Sequence, residues 1–170
     1  APNSFTYAVQ AGDAANNWSP ATNITLNVTD ADDTAPVVAA GQSFSYAENR
    51  AASAIIGTVA ASDAGGISAF RFTASGSTIS ANGFFSIDNS GRITLTAAGA
   101  ATGAASNDFE TTPNSFNLDV EAGDAAGNWS PSVQVTLNVT DLDESAPTIT
   151  GGQTFAYPEN QTANAVVGTV

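Results

Sequence analysis

Carboxylates are the only side chains in this sequence equipped for acid–base or metal chemistry. The chain has 16 Asp and Glu against 3 Lys and Arg, no His and no Cys, and a formal net charge of −13. Without His or Cys, no Ser-His-Asp or Cys-His nucleophile can be assembled within it, and the common zinc sites cannot be built. Two reactive possibilities remain. A carboxylate pair of the glycosidase type stays open on composition, with Asp108 and Glu110 as the candidates. The other is chelation of a hard cation such as calcium, which takes six to eight oxygen ligands, mostly from carboxylates. Glu48, Asp108, Glu110, Asp141 and Asp143 lie far apart in sequence. Each falls at an expected strand end or in a linker, where folding could gather them. Once gathered, they would repel strongly unless a cation sat between them.

The same imbalance excludes some partners. Nucleic acid is bound through clustered Lys and Arg, which this chain lacks. An anionic membrane surface is excluded for the same reason. General acidity for solubility or a salty habitat is the bland alternative, but the acids cluster rather than spread. With no Cys there is no disulfide framework, and a bound metal is the usual substitute staple. No apolar run approaches the ~20 residues that span a bilayer, so no direct membrane insertion is expected. Opening at Ala1-Pro2-Asn3 without a signal peptide, the sequence reads as internal to something longer.

The elements that must position these acids come from a long internal repeat. PNSFTYAVQAGDAANNWSP at Pro2–Pro20 returns as PNSFNLDVEAGDAAGNWSP at Pro113–Pro131, and TLNVTD at Thr25–Asp30 returns at Thr136–Asp141. The offset is constant at about 111 residues, with roughly 34 of 59 positions identical. A period of that length is a whole domain, so the chain reads as a domain array. Residues 1–35 are expected to be the last two strands of a preceding domain, 36–146 a complete domain, and 147–170 the first strands of a following one. On that reading Phe5, Tyr7, Val9, Ile24, Leu26, Val28, Phe155 and Tyr157 lack a facing sheet.

Within the period the pattern is β. Phe116, Leu118 and Val120 alternate with Asn117, Asp119 and Glu121, and Val133, Val135, Leu137 and Val139 alternate with polar residues. Shorter strands are expected at Phe44–Tyr46, Ile55–Val59, Phe70–Phe72, Phe85–Ile87 and Ile93–Leu95. Asn89-Ser90-Gly91, Gly65-Gly66 and Asp124–Asn128 supply the turns. Ala97–Ala105 is Ala-rich, but its glycines and lack of an apolar face favour a loop. Seven strands in about 110 residues indicate an all-β, Ig-like Greek-key sandwich.

Five short motifs, in order, resemble the cadherin repeat. Glu48-Asn49 and Glu159-Asn160 look like its PEN motif, and Phe85–Asp88 with Gly91–Ile93 like its FxID…TGxI hairpin. Asn107–Glu110 resembles LDRE, and Val120–Gly127 resembles VxAxDxG. Asp141–Pro147 is similar to the linker DxNDNxP and recurs as Asp30–Pro36. The richness in Ala and Thr is similar to the bacterial branch found in very large secreted adhesins. The resemblance implies calcium held between domains. Glu48, Asp108, Glu110, Asp141, Asp143 and Glu144 would serve the second junction. Asp30, Asp32 and Asp33, with Asp63 and Asp124, would serve the first. Three positions depart from the family pattern: Gly65 replaces the second acid of DxD, Asp143 and Glu144 replace the linker Asn and Asp, and Ser145 replaces the last Asn.

The expectation is therefore a calcium-rigidified extracellular spacer or adhesin repeat, at the cell surface or secreted, that extends or assembles an adhesive fibre, as in a biofilm. Its partners would be neighbouring repeats of the same chain or copies of itself. Two rivals are set beside it. In one, the sandwich itself grips a surface glycan or another copy, with Trp18 and Trp129 as a stacking platform; burial under their loops is the structural alternative. In the other, Asp108 and Glu110 act as a hydrolytic pair, but they have no basic or aromatic companions. No catalytic residue and no organic cofactor is expected. Asp63, Asp88 and Asp124 each have an ordinary alternative as Asx-turn residues.

Overall fold

The computed structural model describes residues 3–170; Ala1 and Pro2, the opening of the repeat and of the expected preceding-domain fragment, lie outside the described residues. Residues 37–140 carry nine strand segments: β3 (Val37–Val38), β4 (Ser43–Ala47), β5 (Ile55–Thr58), β6 (Ala61–Ser62), β7 (Ala69–Phe72), β8 (Phe85–Ile87), β9 (Arg92–Leu95), β10 (Ser115–Gly123) and β11 (Val133–Thr140). Every strand expected between residues 44 and 139 is present. The segments outnumber the expected seven strands because the first two are divided. β3 and β4 are separated at Gly41, whose φ is 72°. β5 pairs with β9, whereas β6, two residues further on, pairs with β3.

One sheet runs β4-β11-β10-β7 and faces β5-β9-β8, with the small β3-β6 ladder beside them. β10 and β11 pair antiparallel with Phe116 opposite Leu137 and Val120 opposite Val133. β4 joins the other edge of β11 in parallel, with Phe44 opposite Leu137 and Tyr46 opposite Val139. Strict alternation places Phe116, Val120 and Ala122 of β10 inside with Val135, Leu137 and Val139 of β11. From the facing sheet, Phe85, Ile87, Ile93 and Leu95 meet them. Phe85 is fully enclosed, with its ring 5.2 Å from that of Phe116 at 66°. The Ala97–Ala105 stretch is turns, as its glycines require.

The repeated segments fare differently. β1 (Ser4–Val9) and β2 (Thr22–Asn27) form an antiparallel hairpin, with Phe5 opposite Leu26 and Tyr7 opposite Ile24. Its apolar side chains, including Phe5, Tyr7, Val9, Ile24 and Leu26, are exposed. Residues 148–170 form no strand, against the expectation of the first strands of a further sheet. Their equivalents β4 and β5 are held by β11 and β9, whereas residues 148–170 pair with no strand among the described residues. One contact of those strands is nevertheless repeated. A Cβ at Gly57 would run into the Phe44 ring, and one at Gly168 into the Phe155 ring.

Truncating the enclosed ring should separate packing from surface effects. Phe85→Ala is expected to lower unfolding free energy by about 3–5 kcal/mol in chemical denaturation, whereas an exposed change such as Gln134→Ala should cost about 0.5 kcal/mol or less.

Candidate metal centres

Two groups of acids converge, each built from separate loops and one linker residue. Carboxylate oxygens of Asp32, Asp63 and Asp124 lie within 4.8 Å of one another, as do those of Glu48, Glu110 and Glu144.

The second group is built around a buried charge. Glu48 follows β4 and is 3% exposed. Its Oε2 accepts the Phe109 N–H at 2.6 Å and its Oε1 the Leu142 N–H at 2.9 Å. One carboxylate thus joins the end of a strand, the loop before β10 and the start of the linker. That loop is held by Asn107, itself buried, whose Oδ1 accepts the Arg50 N–H at 2.8 Å and whose Nδ2 donates to the carbonyls of Arg50 and Ala100. Tyr46 Oη donates to the Ser106 carbonyl at 2.7 Å. On the linker side, Asn49 Nδ2 donates to Glu144 Oε1. Glu110, Asp141, Asp143, Glu144 and Ser145 line an open cavity of 330 Å³ beside the group. Asp108 is half-buried and lies outside the three-acid group, as do Asp141 and Asp143.

The first group joins two turns and a linker. Asp63 Oδ2 accepts the Gly65 N–H at 2.8 Å. Asp124 is 6% exposed, and both its oxygens are taken by Asn128, from the backbone N–H at 2.8 Å and from Nδ2 at 2.7 Å. Asn128 Nδ2 also donates to the Asp32 carbonyl at 3.1 Å. The Asp124–Asn128 arrangement recurs at Asp13 and Asn17, at 2.8 and 2.9 Å. Asp63 and Asp124 are therefore turn residues and members of the acidic group at once. Asp88 is a turn residue alone: it accepts the Ser90 and Arg92 N–H groups and pairs with Arg92 Nε at 2.8 Å. Asp30 and Asp33 are exposed and outside the group.

No basic side chain neutralises either group among the described residues. Arg92 is paired with Asp88, and Arg71 with Glu121 at 2.6 Å. The electrostatics show the consequence. A backbone hydrogen bond lowers the Glu110 pKa, but desolvation and the charges of Glu48, Glu144 and Asp141 outweigh it, and the net shift is upward. At Asp124, burial raises the pKa, and the hydrogen bonds from Asn128, Gly127 and Ala126 more than reverse that, so the net shift is downward.

Trp129 is taken up by the fold. Its ring lies against Gly123, where a Cβ would come within 3.0 Å of three ring atoms, and the Arg71 guanidinium sits 3.8 Å from the ring centroid. Trp18 lies on Gly12 in the same way but is 66% exposed.

The architecture matches known folds. The chain is similar to protocadherin gammaB7 EC3-6, solved as a cis-dimer, with a TM-score of 0.54 and 23% identity over 88% of this chain. It is also similar to human protocadherin-24 EC1-2 (TM-score 0.53, 18% identity, 84% of this chain and 68% of that one). Chicken VE-cadherin EC1-2 is a third (0.51, 20%, 82% and 68%). This is a cadherin-like β-sandwich. The chain spans 37% of the protocadherin gammaB7 chain. No protein-family model and no curated protein sequence matches it. Among the described residues, no helix is long and apolar enough to cross a membrane.

Sequence reasoning named every member of both groups but missed the amides that set them. Asn49, Asn107 and Asn128 appear in the sequence only as motif or turn residues. An Asn four residues after an Asp, present in both repeats, was the available signal.

Because Glu110 titrates above its ordinary value, the metal-free fold gains stability from this group as pH falls from neutral through its raised pKa. Asp124 acts oppositely: its contribution is present above the ordinary Asp value and is lost as pH falls through the lowered one. Metal-free Glu110→Gln should melt higher than the parent at neutral pH and lose the gain on mild acidification, as followed by thermal denaturation across pH in EGTA.

Proposed function

We propose that this chain is a segment of an extracellular tandem array in which calcium stiffens the junctions between cadherin-like sandwiches. Residues 36–146 are read as one complete module, 1–35 as part of its predecessor and 147–170 as part of its successor. The observation that carries this is that each acidic group combines sandwich residues with a linker residue. Asp32 joins Asp63 and Asp124, and Glu144 joins Glu48 and Glu110. An ion held by such a group ties a linker to a rigid body.

The donor set fits the ion. All six side chains offer hard oxygens, the arrangement has no His or Cys, and among the described residues no basic partner balances the charge of the three carboxylates in either group. Asp32, Asp63 and Asp124 would hold an ion at one end. Glu48, Glu110 and Glu144 would do so at the other, with Asp141 and Asp143 lining the adjoining cavity. Asp30, Asp33 and Asp108 are assigned supporting places around these groups, as water-mediated or next-junction ligands. Bound calcium supplies positive charge at the point where the carboxylates repel.

The array would act as a spacer that carries an adhesive or anchoring domain away from a cell surface, or as the repeat of a fibre, with neighbouring repeats or further copies as partners. A catalytic reading of Asp108 and Glu110 is not favoured, since Glu110 groups with Glu48 and Glu144. The glycan reading loses Trp129, whose ring lies between Gly123 and Arg71.

Removing calcium tests this. Extracellular modules bind it with dissociation constants of about 10⁻⁴–10⁻³ M. At a hundredfold excess of free ion one site adds about 2.7 kcal/mol, so melting in calcium and in EGTA should differ by many degrees. Glu48→Ala and Asp63→Ala should each remove part of that difference, while Asp88→Ala should leave it. Identical melting curves in the two conditions reject the calcium reading.

A further inference from the structure

The two repeated segments that flank the sandwich are shaped to meet each other. Residues 150–168 form no strand, yet they keep the local geometry of residues 39–57 at matching positions of the repeat. The backbone φ is 73° at Gly152 and 72° at Gly41, 65° at Asn160 and 59° at Asn49, 68° at Asn164 and 67° at Ser53. Gln153 Nε2 donates to the Thr150 carbonyl at 2.9 Å, as Gln42 Nε2 does to the Ala39 carbonyl at 2.8 Å. The Ala165 N–H meets the Thr162 carbonyl just as the Ala54 N–H meets that of Ala51. With the Phe155–Gly168 contact, the segment holds the form of β4 and β5 before any strand pairs with it.

The hairpin supplies the matching edge. β1 holds β2 in the register by which β10 holds β11. The Val28 N–H turns toward β1 and meets the Asn3 carbonyl, as the Val139 N–H meets that of Asn114. Alternation sends the Thr25 and Asn27 N–H groups to the opposite edge, which has no partner among the described residues. In the sandwich that edge of β11 is taken by β4. There the Thr136 N–H donates to the Gln42 carbonyl at 3.0 Å, the Glu48 N–H to the Thr140 carbonyl at 3.2 Å, and Asn138 Nδ2 to Ser43 Oγ at 3.1 Å. Every one of these groups has a counterpart: Thr25, Thr29 and Asn27 in the hairpin, and Gln153, Glu159 and Thr154 in the other segment. Thr154 keeps the hydroxyl of Ser43. Pro158 fits as well, because it stands at the place of Ala47, whose N–H faces away from β11 by the same alternation.

We propose that β2 takes residues 154–158 of a second copy as a parallel edge strand, with Leu26 opposite Phe155 and Val28 opposite Tyr157. Main-chain hydrogen bonds would supply the affinity, and the alternate side chains Phe155 and Tyr157 would extend the exposed apolar face of the hairpin. The occupant is a second copy because the two segments stand at opposite ends of one sandwich. β4 runs parallel to β11, so the chain enters at one end and leaves at the other. Each linker is tied to its own end, by Asn128 to the Asp32 carbonyl and by Asn49 to Glu144, and within one chain the segments are unpaired. Contact between two different surfaces of the same chain is heterologous, so it extends head to tail. This rests on the tandem-array reading above, whose contact between copies it names, and not on the bound ion.

Sedimentation velocity of the full chain in EGTA at physiological salt tests this with Thr25→Pro and Tyr157→Pro. Thr25→Pro removes an edge N–H that β1 does not use, a position where a strand tolerates proline. Tyr157→Pro removes the matching donor from the other segment. The parent's average mass should climb past twice 17.0 kDa as concentration rises from micromolar to millimolar. Either variant alone should remain at 17.0 kDa, and their equimolar mixture should form pairs and grow no further. Hydrogen exchange of the parent gives a readout that needs no variant: the Thr25 and Asn27 amides should slow as concentration rises. A parent that stays monomeric at millimolar concentration overturns the inference. Association that survives Tyr157→Pro alone also overturns it, since hairpins would then be pairing with hairpins or through their apolar faces. Identical melting in calcium and in EGTA rejects the calcium reading and leaves this one standing.

Discussion

A buried carboxylate without a basic partner sets the terms for one end of this sandwich. Burying a charge is unfavourable unless hydrogen bonds or a counter-charge replace its hydration. Glu48 meets the first requirement with two backbone N–H groups, from Phe109 and Leu142. Those two bonds fix where β4 ends, how the loop before β10 lies and where the linker leaves β11. Among the described residues no basic side chain supplies the counter-charge. Glu110 and Glu144 stand beside Glu48 and add charge of the same sign. The fold therefore positions the acids but leaves their mutual repulsion unrelieved.

The core supports this by being indifferent to it. Fully enclosed side chains such as Phe85, Ile93 and Leu137 lie between the sheets, while the acids sit in loops and linkers. Loop 123–130 shows how locally such a site can be specified. Ser130 N–H donates to the Ala122 carbonyl and Ser130 Oγ accepts the Ala122 N–H. The same two bonds join Ser19 and Ala11 in the hairpin of β1 and β2. Among the described residues the hairpin has no facing sheet, yet its loop keeps the same hydrogen bonds, so the segment AGDAAxNWSP carries its own geometry.

That local encoding explains what could be read from the sequence. β10 and β11 were legible because one buried face imposes a period of two, and the acids because, without His or Cys, carboxylates are the only side chains left for acid–base or metal chemistry. β3 and β6 were not. Each is two residues long and exists through pairing with the other across the chain, which no local pattern announces. The division of the acids was equally hidden. Sequence motifs assign eleven candidates to two junctions, but which three oxygens meet depends on loop placement. Asp108 and Glu110 are two positions apart, yet only Glu110 joins Glu48. Gly65 looked like a lost ligand in the sequence. In the structure it is the space into which the Asp32 carboxylate fits.

The choice of supporting groups has a physical logic of its own. Asn49 and Asn128 donate to the carboxylates of Glu144 and Asp124, while Asn107 holds its loop through backbone groups alone; all three are amides. A Lys or Arg in place of Asn49 or Asn128 would orient a carboxylate as well, but it would also cancel the charge and so compete with any cation there. A neutral amide donates a hydrogen bond and leaves the carboxylate its full negative charge. Where the chain does use arginine on an acid, at Arg71–Glu121 and Arg92–Asp88, the acid belongs to neither group. The scarcity of basic residues and the placement of Asn beside the clustered acids are thus two sides of one arrangement: the acids are aimed by groups that cannot neutralise them, and their negative charge is left uncancelled.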